Sequence, residues 1–366
     1  NEQIRNSYTK LITLFLGFMC SVLFVFILIS LKSILIPFTI AIFLTFLFHP
    51  VLLFLTKYKI PKSVAIFLML IFFSGVYYLF TFLIVSSFGQ LPQKIPFYSA
   101  RLTDFIENIL HPFNLTLNEV AVMLQIQIEK FDLFSILEGL FNAGLFEKVI
   151  GGVTSLLGDL FIIMIFWLFM IAGKSKFETR IEKAFLKYGK EISHTLKSID
   201  KQIQSYIFIK TVLSLLTGTI VTVTLIIFGV DFPLVWGLLT FVLNYIPNVG
   251  SIIATIPPIL IALLQFGLGL NSIAIAALLA STQFTIGNLI EPKYMGKHLD
   301  LSPVFVLFSL IFWGWVWGIV GMFLAVPIAA ILKILLSNIE TLKPIAILIG
   351  SKGELPDTTK IEIIKK

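Results

Sequence analysis

From Phe232 to Ile290 the chain carries no charged residue, yet Asn244, Pro247, Asn248, Gly250, Pro257, Pro258 and Asn288 interrupt it. One bilayer crossing needs about 20 apolar residues, so a run of about sixty is long enough to cross twice. The interruptions are the tighter constraint. A proline inside a helix frees a backbone carbonyl, and hydrocarbon holds no water to satisfy it. Such breaks survive only inside protein or against a water-filled cavity. Broken helices at membrane depth point to transport.

The rest of the chain is of the same class. Of 366 residues, 58% are hydrophobic and 13% charged, and Phe alone fills 37 positions. A formal charge of +7 on a soluble domain would point to nucleic acid, but here the basic residues sit in short segments between apolar runs, where they set topology. Nucleic acid is excluded as a partner on that ground, and the lipid bilayer is expected. The single cysteine, Cys20, lies inside the first apolar run, which leaves no intrachain disulfide and no thiolate metal cluster. That run, Leu11 to Leu31, is too long for a signal-peptide core and no small-residue cleavage site follows it, so it is read as a retained span. The sequence starts at Asn1 rather than Met, and further N-terminal residues are expected before it.

Apolar windows fall at Leu11 to Leu31, Ser33 to Leu55, Val64 to Phe88, Gly151 to Gly173, Ser205 to Phe228, Leu234 to Phe266, Asn271 to Ile290 and Val304 to Ala325. The expected fold is all-α, a polytopic transmembrane helical bundle of about eight spans with broken or re-entrant helices in the C-terminal half. The sixth window is either one kinked crossing or a re-entrant hairpin. Arg5 and Lys10, then Lys57, Lys59 and Lys62, then the basic connection from Lys174 to Lys201 fall on one side if each early window crosses once. The positive-inside tendency makes that side cytoplasmic, with both termini there and the chain in the cell membrane. Five segments follow: three N-terminal spans (1–88), an outer insertion (89–150), a fourth span with an interfacial helix (151–205), a transport core (206–342) and a tail (343–366).

The insertion reads as amphipathic helix. Leu102, Phe105, Ile106, Ile109 and Leu110 recur at helical spacing, and Thr116 with Glu119 matches a capping box. It is either a gate over an outer vestibule or a set of helices packed on the rim or against neighbouring subunits. Asn114-Leu115-Thr116 fits a glycosylation acceptor, a short and common pattern. Between Lys174 and Lys201, charges alternate with Phe177, Ile181, Phe185, Ile192 and Leu196, the pattern of an interfacial helix or of a solvated connector.

Two polar blocks dominate the C-terminal half. The first is Asn244-Tyr245-Ile246-Pro247-Asn248-Val249-Gly250-Ser251, running on to Pro257-Pro258. The second is Gly287-Asn288-Leu289-Ile290-Glu291-Pro292-Lys293-Tyr294-Met295-Gly296, then Leu299-Asp300-Leu301-Ser302-Pro303. Together with Phe228-Gly229-Val230 and Trp236-Gly237-Leu238 before them, and Gly318-Ile319-Val320-Gly321 running to Val326-Pro327 after, they resemble the autoinducer-2 exporter family of permeases, most specifically over 206–334. The resemblance implies a homo-oligomeric permease of about eight spans. Members of that family are associated with export of autoinducer-2 or with exchange of sodium or lithium for protons, so the resemblance does not fix the substrate.

Where helices break, exposed carbonyls can hold a cation and exposed N–H groups an anion or hydroxylated solute. The expected pathway is therefore Asn244, Pro247, Asn248, Gly250, Ser251, Gln283, Asn288, Glu291 and Pro292. The competing reading is that Pro and Gly only kink packed helices and the amides tie them together. Glu291 and Asp159 are the candidates for proton coupling, the first at a helix end and the second early in the fourth span. Lys210 is expected to snorkel to the interface, Asp231 to be solvated in its turn, and His49 to be a satisfied or interfacial histidine rather than a proton carrier. Trp313, Trp315 and Trp317 share one span with Gly314, Gly318 and Gly321, read as packing or an oligomer seam. No zinc-protease, P-loop or nucleophile-elbow motif is present, and the four histidines are scattered. No enzyme activity, cofactor or resident metal is expected. The function expected is a secondary permease for a small polar solute or for sodium, lithium and protons; the alternative is an oligomeric passive channel or a non-transporting scaffold.

Overall fold

The computed structural model describes residues 2–89, 91–113, 119, 146–184, 189–295 and 301–351. Among them the regular structure is helical: α1 (Glu2–Ser30), α2 (Lys32–Lys57), α3 (Lys62–Phe88), α4 (Leu91–Leu110), α5 (Phe146–Ala184), α6 (Gly189–Ile227), α7 (Pro233–Leu243), α8 (Val249–Phe266), α9 (Leu270–Phe284), α10 (Glu291–Met295), α11 (Pro303–Ser337) and α12 (Lys343–Ile349). A π-helical turn, Thr285–Ile290, joins α9 to α10. Seven helices in the described residues are long and apolar enough to cross a membrane. Their large apolar side chains point outward, as Phe15, Phe18 and Phe26 do on α1. A water-soluble protein would not expose a continuous surface of this kind. The all-α polytopic fold read from the sequence is the fold observed.

The chain divides into two compact units, one of residues 1–62, 159–207 and 297–366, the other of residues 63–158 and 208–296.

In the second unit the sixth apolar window folds as a helical hairpin. Phe232 takes a left-handed conformation and Pro233 opens α7 at its first position, where the missing N–H costs nothing. α7 has 11 residues, about 16 Å of rise, roughly half the hydrocarbon thickness. The chain turns at 244–248, and α8 brings it back: the Asp231 N–H donates to Gln265 Oε1 at 2.9 Å across 34 positions. Val221, Leu225, Val230, Ala262, Ile275 and Leu279 form one buried cluster there, with Trp236 and Phe266 packed on it. The ends of the hairpin therefore lie together, so the window is not one continuous kinked helix. Small residues let α7 seat closely on α6: a Cβ at Gly237 would run into the Thr222 side chain, and one at Gly218 into the Gly237 carbonyl.

The described part of the insertion is tied to the same place. Lys94 Nζ donates to both carboxylate oxygens of Asp231 at 2.9 Å, and the Tyr98 hydroxyl donates to Oδ2 at 2.6 Å. The expectation that Asp231 is merely solvated is corrected. Tyr98 is buried, and burial, then the hydrogen bond and charge of Asp231, push its hydroxyl well above the ordinary tyrosine range. The expected capping box and glycosylation acceptor lie outside the described residues, apart from Glu119.

The first unit holds a second hairpin that the sequence reading missed. Gly318, in the middle of the 35-residue α11, has φ 66° and ψ −144°, a conformation essentially reserved for glycine. Ser309 Oγ donates to the Ala325 carbonyl at 2.9 Å, whereas sixteen residues of straight helix would hold them about 24 Å apart. The chain reverses at Gly318. Gly321 lies against the Trp313 carbonyl, and Gly314 against Met322. The Trp313 and Trp317 rings stack at a tilt with centroids 4.8 Å apart, and Trp317 Nε1 donates to the Leu28 carbonyl of α1 at 3.1 Å. The window from Val304 to Ala325 is thus corrected from one continuous span to the tip of a hairpin. Its glycines serve the turn and the contact between its own two arms. At its base, the Ser302 N–H donates to the Ile349 carbonyl at 2.8 Å, which anchors α12.

Candidate functional site

The tip of the α7–α8 hairpin is built by three residues with distinct jobs. Asn244 closes α7 and is buried, its Nδ2 donating to Ser214 Oγ on α6 at 3.0 Å. Tyr245 shares a hydrogen bond of 2.7 Å with Thr211 Oγ1 on α6. Asn248 sits at φ 60° and ψ −54°, and the Val249 N–H reaches the Pro247 carbonyl at 2.6 Å. This is a γ-turn of the rare, strained kind. Gly250 follows because a Cβ there would collide with the Leu243 carbonyl. Ser251 Oγ donates to the Asn248 carbonyl at 3.0 Å, satisfying one group freed by the break.

The second polar block meets the same helix. Lys210 on α6 is 1% exposed and its Nζ pairs with Glu291 Oε1 at 2.5 Å; the Glu291 side chain is 17% exposed. The expectation that Lys210 snorkels is corrected: the ammonium turns inward. A buried charge is tolerated only when paired and hydrogen-bonded, and Glu291 supplies that partner. The π-helical turn before Glu291 carries Asn288, which is exposed, and buries Ile286. π-Turns widen a helix by one residue and recur at functional sites. Just before it, Gln283 buries its Nε2 without a hydrogen-bond partner. Buried polar atoms are rarely left so.

One stripe of α6 therefore joins both blocks. Lys210, Thr211 and Ser214 fall within two turns and reach Glu291, Tyr245 and Asn244 respectively. Of the residues singled out from the sequence, Asn244 and Glu291 are drawn into this cluster, while Pro247, Asn248, Gly250 and Ser251 shape the adjoining tip. Asn288 and Pro292 are exposed, and Asp159 is exposed on α5 in the other unit. Sequence reasoning missed the α6 stripe. Its signal was Lys210, Thr211, Ser214 and Thr217 at i, i+1, i+4 and i+7, polar positions on one helix face of an apolar run. Among the described residues no three or more His, Cys, Asp or Glu side chains gather in a metal-binding group.

A family model described as AI-2E family transporter matches residues 12–341. The chain belongs to that family. Its relatives include a Borreliella burgdorferi protein named "Putative transport protein", 33% identical over 273 residues, covering 74% of this chain and 72% of that one. A Haemophilus influenzae protein of the same name is 33% identical over 281 residues, covering 75% and 78%. The "AI-2 transport protein TqsA" of Escherichia coli K12 is 34% identical over 206 residues, covering 56% of this chain and 59% of its own length. The chain is a multi-pass membrane protein of a transporter family.

Proposed function

We propose that the chain is a secondary permease for a small, uncharged, hydroxylated solute of the AI-2 type, with its pathway beside the α7–α8 tip and the π-helical turn before Glu291. The observation that carries this reading is the buried Lys210–Glu291 pair on the α6 stripe. An ion pair among apolar spanning helices is expensive to build, and such residues mark substrate and proton paths. Asn244, Gln283 and Asn288 offer amide groups suited to hydroxyls, Asn248 marks where the backbone leaves the helix, and Pro292 in the first turn of α10 lacks the N–H that a preceding carbonyl would accept. Proton coupling at Glu291 is part of the reading: protonating the carboxylate removes its attraction for Lys210 and gives the pair two states. Asp159 is a weaker candidate for the same role.

Exchange of sodium or lithium for protons is the second reading. It is disfavoured by the ammonium already on the one carboxylate of the cluster, since Lys210 competes with a metal cation for the same oxygens. The reading includes a homo-oligomer in the cell membrane with both termini cytoplasmic. Purified protein in proteoliposomes tests it: an AI-2-type hydroxylated solute should show saturable flux that responds to a pH gradient. Sodium or lithium flux without solute flux would replace the first reading by the second, and conductance without saturation would establish a channel.

A further inference from the structure

The first unit contains a cavity of about 520 Å³ between α2, α5 and the start of α6, separate in residues from the α6 stripe. Its volume lies within the range of small-molecule sites. Its lining changes character from one end to the other. Phe38 and Ile42 of α2 with Phe169 and Met170 of α5 make an apolar chamber. The Thr45 hydroxyl, also in the lining, is already donated to the Ala41 carbonyl at 2.7 Å. A polar solute finds almost no hydrogen-bond partner in this chamber.

The other end is charged. Lys174, Arg180, Lys197 and Asp200 line it. Lys174 pairs with Asp200 at 2.6 Å and lies 5.2 Å from the Phe46 ring centroid, so these two charges cancel. Arg180 and Lys197 are exposed and leave the mouth with an excess of positive charge. Met170 and Arg180 are ten residues apart on α5, about 15 Å along the axis. The polarity thus reverses over the distance between a lipid's upper acyl chain and its headgroup.

We propose that this cavity is a binding site for an anionic phospholipid, with one acyl chain in the Phe38–Met170 chamber and the phosphate at Arg180 and Lys197. Charge complementarity selects this occupant: a zwitterionic lipid would place its own ammonium beside two cations, whereas basic pockets between membrane helices favour anionic headgroups. The acyl chain supplies the part of the affinity that does not depend on the headgroup.

Native mass spectrometry of the full chain in detergent tests the site, with phosphatidylglycerol and phosphatidylcholine of identical chains as probes. The wild type should retain phosphatidylglycerol preferentially, and glycerol phosphate should not displace it. Each cation near an anionic headgroup is worth about fivefold in affinity, so Arg180→Gln with Lys197→Gln should weaken phosphatidylglycerol retention about twenty-fivefold and leave phosphatidylcholine unaffected. Ile42→Trp, which fills the chamber, should remove both lipids. Equal retention of the two lipids by the wild type would overturn the proposal, as would unchanged retention in the double variant. It also fails if Ile42→Trp changes only the mass of a protein assembly, since the cavity would then be a contact between copies.

Discussion

Lys210 and Glu291 hold the most consequential contact in the site. Removing one partner of a buried ion pair leaves the other uncompensated, at about 3–5 kcal/mol. Glu291→Gln alone should therefore lower unfolding stability by about that amount, measured by denaturant titration in detergent. Lys210→Met combined with Glu291→Gln should recover most of the loss, because replacing both members with uncharged groups of similar size is often near neutral. The double variant is then the proper test of transport: it should fold and yet lose pH-dependent solute flux, and wild-type flux in it would remove the pair from the mechanism. Asn248→Ala should also slow flux, because alanine is strained at φ 60° and the tip must rearrange. Glu291 was legible in the sequence as a lone carboxylate at the edge of an uncharged run. Its partner was not, since 81 positions separate the two and no periodicity links residues on different helices. A lysine near the start of an apolar window has a cheap alternative, snorkelling, and only the packing of α6 excludes it.

At the scale of elements, each hairpin depends on one backbone position. Gly318→Ala would force a side chain into φ 66° and ψ −144°, at about 1–3 kcal/mol. Gly250→Ala would press a methyl into the Leu243 carbonyl, at about 1–3 kcal/mol for overpacking. Thermal unfolding in detergent checks both, and a neutral result at Gly318 would contradict the turn. The α4 contact has a pH signature. The Tyr98 hydroxyl titrates higher when folded than the ordinary 10.0, so its contribution is complete below pH 10.0 and is lost as pH rises above it, when the unfolded chain sheds the proton first. Wild-type stability should thus fall more steeply above pH 10.0 than that of Tyr98→Phe, which should itself be less stable at neutral pH by about 1.5–3 kcal/mol for the lost charge-assisted bond. The first hairpin was visible in the sequence because prolines and asparagines broke its run. The second was hidden because a glycine turn inside an apolar stretch leaves hydropathy unchanged.

For the molecule as a whole, hydropathy counts apolar helices, while topology depends on where they end. With α7–α8 and α11 as hairpins, we read the eight apolar windows as six crossings and two re-entrant elements. We propose that this even number of crossings keeps both termini on one side, as expected from the basic residues. Impermeant maleimide labelling checks this in a Cys20→Ser background. Ile227→Cys and Leu268→Cys, at exposed positions flanking α7–α8, should react from the same face of the membrane, and so should Val304→Cys and Ile339→Cys around α11. Opposite accessibility within either pair would convert that hairpin back into a crossing. The 11-residue length of α7 has a further consequence in biosynthesis. Too short to be held in the bilayer as a stop-transfer segment, it has no stable place until α6 has been inserted and α8 has returned beside it. The polar tip is therefore completed only after α8 has left the ribosome, and truncation within α8 should yield a nascent chain that the cell's quality-control proteases remove.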